Sequence, residues 1–101
     1  MFTLHETETF SSWMEGLRDK RAKARIAQRL DRLTRGNSGD AKPVGSGVSE
    51  LRINYGPGYR VYYCRHGTTL FVLLCGGDKG TQKKDIEIAK RLAKELKESK
   101  E

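Results

Sequence analysis

The stretch that most limits what this chain can become runs from Glu50 to Lys79, ELRINYGPGYRVYYCRHGTTLFVLLCGGDK. Leu51, Ile53 and Tyr55 alternate with Glu50, Arg52 and Asn54, the two-residue period of a half-buried strand. Gly56-Pro57-Gly58 breaks that period with a residue of fixed φ between two that tolerate positive φ, which marks a turn. Tyr59, Val61 and Tyr63 then alternate with Arg60, Tyr62 and Cys64. His66-Gly67 has the composition of a two-residue hairpin loop. Thr69 to Cys75 is apolar on both faces, as expected of a strand covered on both sides. The expected unit is three consecutive antiparallel strands.

Parity says which side chains share a face. With Gly56–Gly58 as a three-residue loop, Tyr55 opposes Tyr59, Ile53 opposes Val61 and Leu51 opposes Tyr63. The apolar members of both strands then fall together, and a one-residue slip would mix them. The second face carries Arg52 opposite Tyr62, with Arg60 as diagonal neighbour at roughly 7–8 Å. With His66-Gly67 as the next loop, Arg65 pairs with Thr68 and Cys64 with Thr69, so Gly76-Gly77-Asp78-Lys79 emerges close to Arg60. Arg52, Arg60 and Lys79 are therefore expected to converge with Tyr62 on one surface, balanced only by Glu50 and Asp78.

A chain of 101 residues fits a single domain, 1–101, with a modest core. Its formal net charge of +7 points to a polyanionic partner such as nucleic acid, or simply to solubility from basic helix surfaces. The N-terminus MFTLHETETF lacks the apolar core of a signal peptide, and no apolar run approaches the ~20 residues of a membrane span. No membrane partner is expected, and the chain reads as cytoplasmic. Cys64 and Cys75 fall far apart along the expected ladder and read as free core thiols. Two histidines with no close Cys or His spacing leave no metal site, and no cofactor is implied.

Elsewhere the period changes. Phe2 to Glu6 reads as a short edge strand, and Phe10, Trp13, Met14 and Leu17 mark one face of a helix over Glu8 to Leu17. A second helix, about Asp19 to Arg35, has the stripe Ile26, Leu30 and Leu33, with Ala22 and Ala27 beside it. Its other face is crowded with Lys20, Arg21, Lys23, Arg25, Arg29 and Arg32. That face is either a solvated exterior or a sequence-blind, salt-sensitive contact to phosphate backbone. Gly36 to Gly47 is expected to be loop. It is either a linker or an ordered loop that brings Lys42 to the rim of the Arg52/Arg60 face. A last helix follows Lys79, with Thr81 as N-cap, Asp85 and Glu87 at its positive end, and the stripe Ile86, Ala89, Leu92, Ala93 and Leu96. Its end, Lys97 to Glu101, is expected to fray.

The fold class is thus α+β, in the order β-α-α-β-β-β-α: a four-stranded, mainly antiparallel sheet with a helix pair on one face and a C-terminal helix. The helix pair is expected to cover Leu51, Ile53, Val61, Tyr63, Val72 and Leu74. The last helix would flank the sheet or swing onto a partner.

The segments GNSGDAKPVGSGVSELRI, GPGYRVYY and LLCGGDKGTQKKDI, at this spacing in a short basic chain, resemble the RelE/ParE toxin superfamily in its HigB-like, phage-derived branch. The resemblance spans nearly the whole chain. It implies a RelE-like fold and a growth-inhibiting toxin of a type II toxin-antitoxin system. It also implies a cognate antitoxin, often of helix-turn-helix type, with operator DNA met only through the antitoxin complex. Relatives cut mRNA in the ribosomal A site as metal-independent endoribonucleases. Matching the GYR segment puts Arg60 at the family's central active-site arginine. Arg52 matches an active-site lysine, and Lys79 falls at or near a basic residue after the fourth strand. The tyrosine or histidine that many relatives carry near the start of the last helix is absent; Asp85 and Ile86 stand there.

Cleavage by internal transesterification needs a base for the 2′-OH, an acid for the leaving 5′-oxygen and stabilisation of the phosphorane. Arg60 is expected on the scissile phosphate with Arg52 beside it, since a planar guanidinium matches phosphate oxygens. Lys79 is placed as acid or base, with Glu50 as an alternative base. Tyr62 either stacks on a nucleobase or packs against Phe71. Gln82 either holds substrate or only opens the last helix. His5 and His66 do not suggest a ribonuclease histidine pair. Two other readings remain open: a ParE-like toxin that poisons gyrase without cutting RNA, and a non-enzymatic nucleic-acid-binding module using the basic helix.

Overall fold

Thr3–Glu6 forms the first strand, β1, and Thr7 turns the chain into helix α1, Glu8–Gly16. The Thr7 hydroxyl accepts from Phe10 N, satisfying one of the donors a helix start leaves open. Helix α2, Lys20–Thr34, is capped in the same way by Asp19, whose carboxylate accepts from Arg21 N and Ala22 N. Four strands follow: β2 (Ala41–Gly45), β3 (Val48–Ile53), β4 (Tyr59–His66) and β5 (Leu70–Asp78). A single 3₁₀ turn, Lys79–Thr81, leads into helix α3, Gln82–Glu98. This computed structural model describes residues 1–98; of the segment expected to fray, Lys97 and Glu98 are helical and 99–101 lie outside the described residues.

The α+β class and the element order hold, with one strand more than expected. The sheet has five strands in the order β1-β5-β4-β3-β2, antiparallel except for β1 against β5. The additional strand, β2, lies inside the segment Gly36 to Gly47 that reads as loop. It is too short, and too marked by Pro43 and Gly45, to show strand character alone; pairing with β3 makes it one.

The registers differ from the sequence expectation in two instructive ways. Ile53 pairs with Tyr59 and Leu51 with Val61, so Asn54–Gly58 is a five-residue loop, with Gly56 and Gly58 at positive φ. That slip is even, so each residue keeps its face and Arg52 comes directly opposite Arg60. Tyr55 leaves the strand and ties the loop to α2: its hydroxyl donates to Asp19 Oδ2 at 3.1 Å and Arg25 lies 4.7 Å over its ring. Between β4 and β5 the slip is odd. His66 pairs with Leu70 and Cys64 with Val72, not Thr69. Beyond Tyr63–Leu73 the ladder jumps to Tyr62–Cys75, leaving Leu74 as a bulge residue whose carbonyl accepts from the Thr7 hydroxyl at 2.7 Å.

An odd slip exchanges faces. Leu73, not Val72 or Leu74, therefore joins Leu51, Ile53, Val61 and Tyr63 beneath α1 and α2, where Phe10, Ile26, Leu30 and Leu33 complete the core. Ala22 is buried as expected, whereas Ala27 points to solvent. Val72 and Leu74 face the opposite side with Val48, Tyr62, Cys64 and Cys75, under Ala89 and Ala93 of α3. The last helix therefore docks on the face that the helix pair leaves bare. Cys64 and Cys75 lie on the same face two ladder positions apart, both buried and free.

Gly76 and Gly77 let both helical layers come close. A Cβ at Gly76 would lie 2.2 Å from Trp13 Cε3, and one at Gly77 would lie 1.8 Å from Asp85 Oδ2. Gly76→Ala is expected to destabilise the protein by roughly 1–3 kcal/mol, the range for forced overpacking, read as a lower urea midpoint with unchanged m-value.

Candidate functional site

Pairing Arg52 with Arg60 brings two cations together at the end of the β3–β4 ladder. What makes this tolerable is Glu50, two residues before Arg52 on the same face and wholly buried. Arg52 Nε donates to Glu50 Oε1 at 3.0 Å. Tyr62 Oη and Gln82 Nε2 donate to Oε2 at 3.1 and 2.7 Å. Arg60 Nε stands 3.4 Å from Oε2, close enough for an ion pair, but its N–H is misaligned and makes no hydrogen bond. Burial pushes the Glu50 carboxyl upward, but hydrogen bonds from Gln82, Arg52 and Tyr62 and the Arg60 charge outweigh it. The group is held below the ordinary glutamate value.

Lys79 arrives from the other side. Asp78, the last residue of β5, pairs with Tyr59 and caps the following turn: its carboxylate accepts from Gly80 N at 2.8 Å and Thr81 N at 3.2 Å. Asp78 thus caps the 3₁₀ turn, and Thr81, the expected cap, is the residue directly before α3. The Thr81 hydroxyl donates to Asp85, which is buried above Gly77. These bonds fix the turn that carries Lys79. Arg52, Arg60 and Lys79 line one open cleft of about 290 Å³ with Asp40, Ile53, Asn54 and Gly58.

The expected convergence of the three cations therefore occurs, with more acidic compensation than Glu50 and Asp78 were expected to give. Both arginines engage Glu50 through Nε, and Asp40 sits on the rim. The Arg60 side chain is 11 % exposed and also donates from Nη1 to Gly58 O at 3.2 Å, whereas Arg52 is 33 % exposed. Lys79 is exposed and forms no ion pair among the described residues.

Other expected site residues stand differently. Tyr62 is wholly buried beneath α3, so its ring is closed to a nucleobase. Its packing partner is not Phe71 either, which meets Tyr63 at 5.4 Å on the opposite face. Burial and the Glu50 charge raise the Tyr62 phenol far above its ordinary value, so it is a fixed donor. Gln82 opens α3 and spends its amide on Glu50. Lys42 is an exposed strand residue paired with Glu50 across β2–β3, beside the cluster but outside the cleft lining.

Arg29 and Asp40 play parts that sequence reasoning missed. Arg29 reads as one more exposed cation, yet its guanidinium donates to the carbonyls of Arg52, Ser38 and Asp40, clamping the approach to β2 against the end of β3. Asp40 O also accepts from Arg52 N at 2.9 Å, which fixes Asp40 at the cleft. Its place in a Gly- and Ser-rich segment gave no signal for this.

Among the described residues no three or more His, Cys, Asp or Glu are grouped to hold a metal ion. No described helix is long and apolar enough to cross a membrane. A five-stranded sheet with a helix pair on one face and a C-terminal helix on the other is compatible with a RelE-like fold. Residues 12–94 match the phage-derived protein Gp49-like family, and the chain belongs to it. An uncharacterized protein of Haemophilus influenzae is 56% identical over 90 residues, covering 89% of this chain and 91% of its own length. The cleft residues all fall within the matched span.

Removing the negative charge at Glu50 would leave the arginines facing an amide. Glu50→Gln is expected to cost about 3 kcal/mol at pH 7, the lower end for breaking a buried pair. Because the folded carboxyl titrates below its unfolded value, its contribution is complete above the ordinary glutamate pKa and is lost as pH falls through the lower folded value. Urea midpoints measured from pH 7 downward should therefore decline less steeply in the variant than in wild type.

Proposed function

We propose that this chain is the toxin of a type II toxin-antitoxin pair, of RelE/HigB type, and that it restrains growth as a metal-independent endoribonuclease acting on mRNA at the ribosome. The reading draws on membership of the phage-derived Gp49-like family. The observation that carries it is the meeting of Arg52, Arg60 and Lys79, from three separate segments, around one open cleft. Its partner in the cell is a cognate antitoxin of helix-turn-helix type, through which operator DNA is also met.

Chemistry follows from which nitrogens are taken. Glu50 sets the Arg52 guanidinium by its hydrogen bond from Nε, and draws in Arg60 by charge while Gly58 O accepts from Arg60 Nη1. In the proposed reaction their terminal nitrogens take the non-bridging oxygens of the scissile phosphate, and Arg60 binds most firmly because its side chain is least mobile. The charge that builds on the phosphorane strengthens these contacts, which is what lowers the barrier. Lys79, unpaired and exposed at the rim, delivers a proton to the leaving 5′-oxygen.

Glu50 is a poor base here, since its oxygens are occupied by donors and its pKa is lowered. Asp40, at the rim, is the carboxylate left to accept the 2′-OH proton. Gln82 and Tyr62 act on the reaction only through Glu50, and Lys42 adds charge beside it. Such a cleft is a slow nuclease on free RNA; geometry imposed by the ribosome supplies much of the rate.

Two variants test this together. Lys79→Ala removes an exposed side chain and is expected to lower mRNA cleavage by at least about 100-fold, the usual scale for a lost proton donor, with no change in melting temperature. Arg60→Ala is expected to abolish growth inhibition while retaining antitoxin binding. The measurement is mapping of mRNA 5′ ends after induction, beside both variants. Intact messages in filamentous cells with damaged DNA would instead point to a gyrase poison, and the nuclease reading would fall.

A further inference from the structure

A second basic cleft adjoins the first. Arg25, Gln28, Arg29 and Arg32 of α2 line it, with a volume of about 230 Å³. Ile53 and Asn54 line both clefts, so the two adjoin at the end of β3. Arg25, Arg29 and Arg32 follow one helix face at four- and three-residue spacing, where like charges repel and weaken a helix. Among the described residues none of the three has a carboxylate partner; the α2 ion pair is Arg35–Asp31.

Arg29 earns its place by clamping the carbonyls of Arg52, Ser38 and Asp40. Arg25 and Arg32 bond no carbonyl; Arg25 has only its contact with the Tyr55 ring. Both are exposed, and the Arg25 guanidinium carbon lies 4.7 Å from the centre of the Tyr55 ring, on the loop that follows β3. They stand about 10 Å apart along the helix axis, at 1.5 Å per residue. Two guanidinium groups and an amide, with no carboxylate partner among the described residues and beside the Arg52/Arg60/Lys79 cleft, match the spaced anions of a polynucleotide backbone.

We propose that the α2 cleft is a track for the sugar–phosphate backbone of single-stranded RNA, holding the same strand whose scissile phosphate lies between Arg52, Arg60 and Lys79. The strand leaves the cutting site over Ile53 and Asn54 and is gripped by Arg25 and Arg32 without reading its bases. This rests on the nuclease reading for the identity of the strand, though its binding measurement does not need cleavage.

The test uses the double variant Arg25→Gln/Arg32→Gln, with Arg29 left intact. Binding of 2′-O-methyl RNA, which cannot be cut by transesterification, is followed by fluorescence anisotropy for a dinucleotide and a decamer at several salt concentrations. Wild type should bind the decamer more tightly. The variant should match wild type on the dinucleotide but bind the decamer at least about fivefold more weakly, with a log–log salt slope shallower by about 1.4 for two lost phosphate contacts on a single strand. Its melting temperature should fall by no more than a few degrees, the scale of the lost Arg25–Tyr55 contact.

Equal decamer affinity in both proteins overturns the proposal. So does unchanged decamer binding with weakened capture of ribosomes or antitoxin, which would give the helix to ribosomal RNA or to protein. If Lys79→Ala and Arg60→Ala keep full mRNA cleavage while the decamer effect persists, RNA binding by the α2 cleft stands and the assignment of the cutting site alone is lost; if wild type leaves messages intact while the decamer effect persists, the nuclease reading alone is lost.

Discussion

One buried carboxylate ties the parts of this molecule together. Glu50 receives donors from β3, β4 and the first residue of α3, so a strand pair and a helix are held by a single side chain. Taking a carboxylate out of water costs several kcal/mol, and the attraction of its partners offsets that only when its oxygens are filled. Here they are. The net stabilisation from such a group is small, and its consequence is geometric: an α3 docked one turn away would leave Glu50 short of Gln82. The carboxylate that seats the helix also bonds Arg52 and attracts Arg60, so the candidate site and the fold share one anchor.

The second constraint is space. Trp13 on one side and Asp85 on the other press on adjacent glycines, where any Cβ would collide. Because successive residues of a strand face opposite ways, two neighbouring glycines thin the sheet on both faces at one level. That lets the Thr81–Asp85 and Asp78 capping network sit directly over β5, and Lys79 leaves the sheet on a turn with little freedom. The Leu74 bulge just before the glycines sets the phase in which Gly77, rather than Gly76, looks toward α3.

What the chain discloses before folding depends on whether its pattern carries parity. Alternation in β3 and β4 is strong, so an error of two in the register still leaves Arg52 and Arg60 on one face. β5 is apolar on both sides, Leu70 to Cys75, and offers no alternation to correct a loop misjudged as two residues. There an odd slip put Val72 and Leu74 on the wrong face. Helices α1 and α2 were plain from their stripes, because a period of 3.6 needs no partner to be visible. β2 was not, since Ala41–Gly45 gains its hydrogen bonds from β3 rather than from its own sequence. Of the site, the three cations could be placed from strand pairing. The burial of Glu50 and Tyr62 could not, because both are closed off by α3, and nothing within the strands says that a helix from far along the chain crosses them.

Charge is distributed in a way that separates attraction from chemistry. The chain carries +7 in total, yet around the cleft Glu50 engages two of the three cations and Asp40 lines the rim. Most of the excess lies on α2 and α3. At physiological salt, exposed charges act over about 8 Å, so those helices can gather a polyanion without adding much field at a phosphate held between the arginines. A site so nearly balanced binds a singly charged phosphodiester weakly. It gains far more as a second negative charge develops, because its donors are already fixed and need no reorganisation. Weak ground-state binding at the cutting point then has to be supplemented from elsewhere on the strand, and Arg25 and Arg32, without a carboxylate partner among the described residues, are where this fold has the means to do it.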